Sequence, residues 1–306
     1  MDRNPKDLNY NEEILETLGA TPFTLKKDSL NDGKDVHAWT TVKRYFPEEM
    51  QNHKTIMNYF IGNLQKVGID EPIAPDQLEN GEICHELTYE EVLRDYKTAI
   101  AHEDGSQWLV TKEYHAVFLT RQTHFEVMQD MGRSLSLTFP AADCAIIRMY
   151  DKEKDVIGLT HSDLNHTSTN IIGSMVDYMK EHFKSNPDNI MVFVGAFAKE
   201  GMIWDKYPTC AEKNPEAWDG YIKPLENNNY EIMYGNKIYD QITESGISKD
   251  NIYFDPDNTI KDISYYSNSR DRRNKTKEGR NLIGITFDGL PIYENVEQGK
   301  TKTRLK

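Results

Sequence analysis

The spacing of apolar residues changes character near Gln107, from helical periods separated by polar turns to a run of strand-like segments. Before that point, NEEILETLG within residues 1–35 reads as a short helix, and polar turns with Asp32-Gly33 follow it. VHAWTTVKRYF is β-prone, HKTIMNYFIGNLQKVG is helical, and DEPIAPDQ is a Pro-rich turn. In LTYEEVLRDYKTAIAHEDGSQ, Leu87, Val92, Tyr96 and Ile100 recur at helical spacing, and Asp104-Gly105 should end that helix. Beyond Gln107, β-branched and aromatic residues dominate QWLVTKEYHAVFLTRQTHFEVM, which predicts two strands around a tight TRQT turn. SLSLTFPAADCAIIRMY and DVIGLTH continue the strand series. Ile172, Met175, Met179 and Phe183 form one stripe of a helix that Thr167 or Ser168 could cap. NIMVFVGAF is a short buried strand, and Gly246 closes the helix NKIYDQITESG as a C-terminal glycine. Strands NIYF and LIGITF bracket a polar, Arg-rich loop.

No repeat or linker divides this pattern, so it predicts one α/β domain with mixed β-sheets. Residues 1–35 are read as an N-terminal extension, 36–287 as the domain, and 288–306 as a flexible tail with a basic end.

Composition narrows the function. A net charge of −14 over 306 residues repels DNA, RNA and anionic membranes, which leaves room only for a local basic pocket. No apolar run approaches the roughly 20 residues of a membrane span, and MDRNPKDLNYNEE is too polar for a secretion signal. Cys84, Cys144 and Cys210 lie far apart without a CxxC pair, which suits a reducing compartment. The expectation is a soluble, cytoplasmic protein.

The chemistry concentrates in FPAADCAIIRMYDKEKDVIGLTHSDLNHT. Alone, Cys144 reads as a small core residue and His161 as an exposed or cap-like one. Together they say more. Two strands joined by YDKEKD make a hairpin, and Cys144 and His161 flank it nearly symmetrically, which should make them spatial neighbours. A thiol beside an imidazole is either a nucleophile with its base or two ligands of a zinc ion that needs a third. Asp143 can orient a ligand or a substrate amine, or simply hydrogen-bond an irregular strand. Cys84-His85 is a weaker candidate, because adjacent side chains diverge.

The same run resembles the signature of the laccase-domain family, also called multicopper polyphenol oxidases, which reads approximately T-A-D-C, strand, D-P, strand, A-H-A-G-W-R/K-G-T. The Cys-to-His interval matches without a gap. LTYEEVLRDYKTAIAHEDGSQWLVTKEYH is similar to the family's helix followed by W…Q-V-H. YYSNSRDRRNKTKEGRNLIGITF is similar to its F/Y-S-H-R-R-D…T-G-R element, and VHAWTTVKR to its opening strand. The resemblance runs loosely from about residue 36 to 287. It implies a layered α/β/β/α architecture, a Zn2+ ion held by His, Cys and His, and action on purine nucleosides: phosphorolysis of adenosine, inosine, guanosine or methylthioadenosine, and deamination of adenosine.

Carried onto this chain, the second and third ligands are Cys144 and His161. The first is His115, seven positions after Trp108, or alternatively His124, which has the literal Q-x-H but would delete a strand. Such a site leaves a fourth coordination position open and lowers the pKa of water toward about 7. The departures are local. HSDLNHT replaces H-A-G-W-R/K-G-T, turning the basic residue into Asn165 and a Gly into His166; GAFAKEGMIWD replaces G-P-x-I-G-x-C-C-Y; SNSRD keeps Arg270 and Asp271. Arg270 and Asn165 are the expected substrate-binding positions, and Lys199, Arg272 and Arg273 could supply further charge. Three functions follow: a zinc-dependent purine nucleoside enzyme with phosphorolysis leading, a cysteine hydrolase or deamidase using Cys144 and His161, and a non-catalytic nucleotide sensor or partner-binding protein.

Overall fold

The protein is seen in a computed structural model that describes residues 20–24, 36–41, 71–75, 82–99, 109–111, 114–131, 135–274 and 279–287. The helices expected in NEEILETLG and HKTIMNYFIGNLQKVG, and the tail after Phe287, lie outside the described residues.

Two six-stranded sheets face each other. One runs in the order β1 (Ala20–Thr24), β2 (Val36–Thr41), β15 (Asn281–Phe287), β7 (Leu135–Ala141), β3 (Glu71–Pro75), β5 (Leu109–Thr111). The other runs β14 (Ile252–Phe254), β10 (Ile190–Val194), β8 (Ala145–Asp151), β9 (Val156–Ser162), β6 (Tyr114–Thr120), β4 (Glu82–Glu86). Both are mixed: β3 runs parallel to β5 and β7, and β4 parallel to β6, whereas β8, β9 and β6 pair antiparallel. A small third sheet joins β11 (Met202–Trp204), β13 (Tyr230–Ile232) and β12 (Ile222–Pro224). β1 draws a strand from within residues 1–35 onto the edge of the first sheet.

Period-two alternation sorts the side chains of the second sheet into two cores. Ile146, Tyr150, Ile157, Leu159 and Phe193 meet Leu135, Leu137, Ile283 and Ile285 of the first sheet. Ile147, Met149 and Val192 point the other way, onto Met175, Val176 and Met179 of one helix and Ile238 and Ile242 of another. A strand flanked by two cores is covered on both faces, and β8 and β9 are buried along their whole length. Each large apolar side chain buried there contributes about 1.5–3 kcal/mol. Because the two sheets share one core, the chain forms one α/β domain.

Eight helices decorate the described residues: α1 (Tyr89–Ala99), α2 (Arg121–Met131), α3 (Leu164–Ser168), α4 (Ile171–His182), α5 (Thr209–Lys213), α6 (Pro215–Trp218), α7 (Tyr234–Glu244) and α8 (Asn268–Asn274). None is long and apolar enough to cross a membrane. Gly246, at φ +91°, follows α7 in the left-handed conformation that glycine adopts without steric cost.

Three local expectations are corrected. TRQT is no hairpin turn: Thr120 Oγ1 accepts the Thr123 N–H at 3.2 Å, which caps α2 where a second strand was expected. Thr123, His124 and Val127 are then buried on one helical stripe, so helical periodicity overrides β-propensity. EPIAP is not a turn but strand β3, since the fixed φ of proline also suits an extended chain. The cap of α4 is Asn170, at φ 56°, whose Oδ1 accepts the Gly173 N–H; Thr167 and Ser168 belong to α3.

Candidate functional site

The β8–β9 hairpin is closed by a tight turn. Asp151 Oδ1 accepts the N–H groups of Glu153 and Lys154 at 2.8 and 3.1 Å, and Asp155 takes a left-handed φ of 57°. This fixes the register, in which Ile146 faces His161 and Ala145 faces Ser162. Cys144 sits in the bend just before β8, two residues before Ile146, which is the ladder partner of His161 near the end of β9. On the other side of β9, Ala116 of β6 faces Thr160, and Thr160 Oγ1 donates to the His115 carbonyl at 2.7 Å. His115, His161 and Cys144 thus come from matching ends of three adjacent strands.

Two further residues complete the cluster. Asp163, directly after β9, is the N-cap of α3, and its Oδ1 accepts the backbone N–H of His166 at 2.8 Å. The same oxygen lies 2.9 Å from His166 Nδ1, and His166 Nε2 lies 3.1 Å from His115 Nδ1. The His166 ring is 4.8 Å from that of His115 and 6.4 Å from that of His161. His161 also stacks on Phe139, with centroids 4.5 Å apart. Tyr234 ties the strand ends behind the cluster, donating its hydroxyl to the Ser162 carbonyl and accepting the Ala145 N–H.

The electrostatics follow from burial. Burial, helped by His166 and Arg280 and opposed by Asp163, pushes His161 down to about 4. His115 is lowered too, by burial and then by His166. Both rings are therefore neutral at pH 7, the state in which imidazole binds metals. Burial, then the charges of Asp163 and Asp143, push the Cys144 thiol up to about 12, against the pull of Arg280. Burial works to raise Asp163, but hydrogen bonds from the ring and backbone of His166, with the fields of His161 and His166, hold it at about 2. The cluster thus pairs neutral donors with anionic neighbours.

The other expected site residues go elsewhere. His124 lies on α2, nearly fully buried, its ring edge-on to Phe287 at 5.4 Å. It is past the far end of β6 from His115, so the alternative of His124 in the cluster, which needed the TRQT hairpin, is corrected. Burial and then Arg121 lower its pKa to about 3. The unfolded chain takes up that proton near pH 6.5, so the stability contributed by neutral His124 is complete above that pH and is lost as pH falls toward about 3. Wild-type urea stability should therefore drop more between about pH 7 and pH 5 than that of His124→Leu. Equal drops in the two proteins would refute the assignment.

Asp143 is committed to the frame: Thr259 Oγ1 and the Ser269 N–H donate to its two oxygens at 2.8 and 2.5 Å, and its carbonyl accepts the Ala198 N–H at 2.9 Å. The structural reading of Asp143 is what these bonds display. Arg270 differs from the expected anion contact. Its guanidinium donates to the carbonyls of Thr259, Asp262 and Tyr265 and to Asp271, so most of its fork is consumed within the loop. Asn165 is exposed on α3. Lys199 Nζ donates to the carbonyls of Asp255 and Pro256 at 2.8 and 2.5 Å. Cys84 and His85 diverge on β4: Cys84 joins the helix-side core, while His85 stacks on Tyr114 at 3.9 Å and meets Glu91 at 3.0 Å.

Sequence reasoning missed Asp163, His166 and Arg280. The D-L-N-H spacing of an N-cap and its third helical residue was the signal for the first two. Arg280 lay in the quoted EGR. Gly279 precedes it because a Cβ there would sit 2.3 Å from the Tyr266 ring. Arg280 is the cation whose field reaches both Cys144 and His161.

Among the described residues, no three His, Cys, Asp or Glu side chains are already gathered as a coordination sphere. The fit of a metal to this cluster is one of donor type and charge. Two neutral imidazoles and a thiol suit zinc or another borderline-soft ion, and the carboxylates of Asp163 and Asp143 supply a negative field that favours a cation.

Comparison with known proteins bears on the family and the fold. Over 58 residues the chain is 36% identical to a purine nucleoside phosphorylase of Clostridium acetobutylicum, a stretch that covers 19% of this chain and only 25% of that protein. The fold is that of the Bacillus licheniformis hypothetical protein YfiH, with a TM-score of 0.59 and 18% identity over 87% of this chain and 97% of that one. It is equally that of YlmD from Geobacillus stearothermophilus, with a TM-score of 0.57 and 14% identity over 82% and 91% of the two chains. The sequence model described as multi-copper polyphenol oxidoreductase laccase matches residues 104–288, which hold every member of the cluster. The chain belongs to that multi-copper polyphenol oxidoreductase laccase family.

Proposed function

We propose that this protein is a zinc-dependent purine nucleoside enzyme, cleaving adenosine- or inosine-type nucleosides by phosphorolysis, with adenosine deamination as a second activity of the same site. The proposal is supported by the strand register, in which the positions of His115, His161 and Cys144 fall at the same end of β6, β9 and β8. The partial match to a purine nucleoside phosphorylase supports the substrate class.

His115, Cys144 and His161 would hold the metal. When bound there, zinc supplies a Lewis acid with one position left for substrate oxygen or water. The chain's own residues do the rest. His161 is held neutral and oriented by its stack on Phe139. Cys144 would lose its proton to solvent only when a cation takes the proton's place on sulfur, because burial and two carboxylates oppose the bare thiolate. Arg280, whose field reaches both Cys144 and His161, supplies positive charge from which a phosphate or ribose oxygen would gain. In phosphorolysis a phosphate oxygen bonds to ribose C1′ as the bond from C1′ to the purine breaks, and the base leaves with a proton.

The same electrostatics weigh against a metal-free Cys–His nucleophile. Such a pair needs the proton to move from sulfur to imidazole, yet the thiol is held at about 12 and His161 at about 4.

The test is chromatography of adenosine, inosine and methylthioadenosine incubations, each with and without phosphate and with and without a chelator. Free base that forms only with phosphate and vanishes with the chelator is the expected result. Inosine from adenosine identifies deamination. An intact panel, with nucleosides that shift the melting temperature unconsumed, would turn the assignment to a nucleotide sensor.

A further inference from the structure

We infer that Asp163 and His166 form a tautomer relay that sets which nitrogen of His115 is available to a metal. The inference rests on the metal-site reading above and makes His166 a positioning residue.

The logic runs one way along the three side chains. Asp163 is an ionised carboxylate and accepts hydrogen bonds only. Its Oδ1 lies 2.9 Å from His166 Nδ1, so that nitrogen carries the proton. When that is the only N–H on the ring, His166 Nε2 is an acceptor. The group facing it at 3.1 Å, His115 Nδ1, must be the donor. His115 is therefore the Nδ1–H tautomer, with its lone pair on Nε2. A histidine that ligates metal commonly donates its other ring N–H to a carboxylate or carbonyl, which fixes tautomer and ring direction. Here a second histidine is inserted between carboxylate and ligand.

The relay is held rigidly at each end. Asp163 is fixed as the N-cap of α3, because the oxygen that meets the His166 ring also accepts its backbone N–H. The backbone of His115 is fixed by the bond from Thr160 Oγ1 to its carbonyl. His166 is the third residue of α3, with both its backbone N–H and its ring Nδ1 against Asp163 Oδ1.

Nitrogen-15 NMR on histidine-labelled, metal-free protein at about pH 8, where ordinary imidazoles are neutral, reads the tautomer directly. His115→Gln identifies the His115 signals. The expected wild-type pattern is protonated Nδ1 and unprotonated Nε2 at His115. His166→Phe keeps ring volume and the N–H used by the cap but removes both ring nitrogens. In it His115 should pass to the Nε2–H form, and zinc affinity, measured against a competing chelator, should fall about 10- to 100-fold. Asp163→Asn preserves the helix cap and should give a mixture of tautomers. A purely packing role for His166 predicts an unchanged His115 signature in His166→Phe, which would overturn the relay. So would an Nε2–H His115 in the wild type, whether or not zinc binds. The expected tautomer in a protein that takes up no zinc would instead sink the metal reading and leave the relay standing.

Discussion

Cys144→Ala should purify without stoichiometric zinc and lose nucleoside turnover by more than about 100-fold while keeping its fold. Removing partners one step outside a metal's ligands already costs about 10- to 100-fold in affinity or activity, and loss of a ligand should exceed that. The stability cost should be small. Cys144 lies in the bend before β8 and outside the β8–β9 ladder. Removing the sulfur also removes a thiol that its carboxylate neighbours disfavour as an anion. Elemental analysis of the purified variant, its denaturation midpoint and the nucleoside panel decide the matter together. Zinc and activity retained in a folded Cys144→Ala protein would leave the proposed centre without its sulfur ligand, and the assignment would fail.

A second large effect is expected far from that cluster. Arg148→Ala should destabilise the protein by about 3 kcal/mol or more, a loss typical of combining a large core cavity with stranded polar groups. Arg148 lies on β8 between the two sheets and is fully buried. Its Nε reaches the Phe193 carbonyl at 3.4 Å and its Nη1 the Gly284 carbonyl at 3.3 Å, so one side chain bridges β8, β10 and β15. Gly195 makes room for it: a Cβ there would stand 3.1 Å from Arg148 Nη2 and 2.9 Å from Thr40 Oγ1. Truncation to alanine empties the slot and strips those carbonyls of a charged donor. Arg148→Met retains the aliphatic stem and should recover roughly half of the loss. Urea denaturation of the three proteins measures it. A cost below about 1 kcal/mol for Arg148→Ala would mean that the bridge is not what holds the sheets in register.

Legibility in the sequence tracked the range of the interaction. The β8–β9 hairpin was readable because alternation and the YDKEKD turn are local, and a hairpin's register follows from its turn. The stripe of α4 was readable for the same reason, since Ile172, Met175 and Met179 recur at helical spacing and are all buried. Failures came where a neighbour distant in sequence decided the outcome. The THFEVM segment has strand-like composition, yet it turns helical once Thr120 caps it and its buried stripe meets the core. EPIAP extends because β7 and β5 lie on either side of it. Arg270 reads as an anion binder in the motif, but three loop carbonyls and Asp271 occupy its guanidinium.

The sequence by itself determined a mixed α/β domain of this family and the β8–β9 hairpin flanked by Cys144 and His161, because period-two patterning and a short turn leave a hairpin little freedom. It left His115 and His124 both open. Choosing between them required knowing which strand lies beside β9 and where the chain turns after β6, and both are set by sheet order over long sequence separations. Only the tertiary structure put His115 beside the hairpin end and buried His124 against Phe287. Only there do Asp163, His166 and Arg280 join the cluster, because α3 and β15 are carried to it by packing that no local pattern encodes.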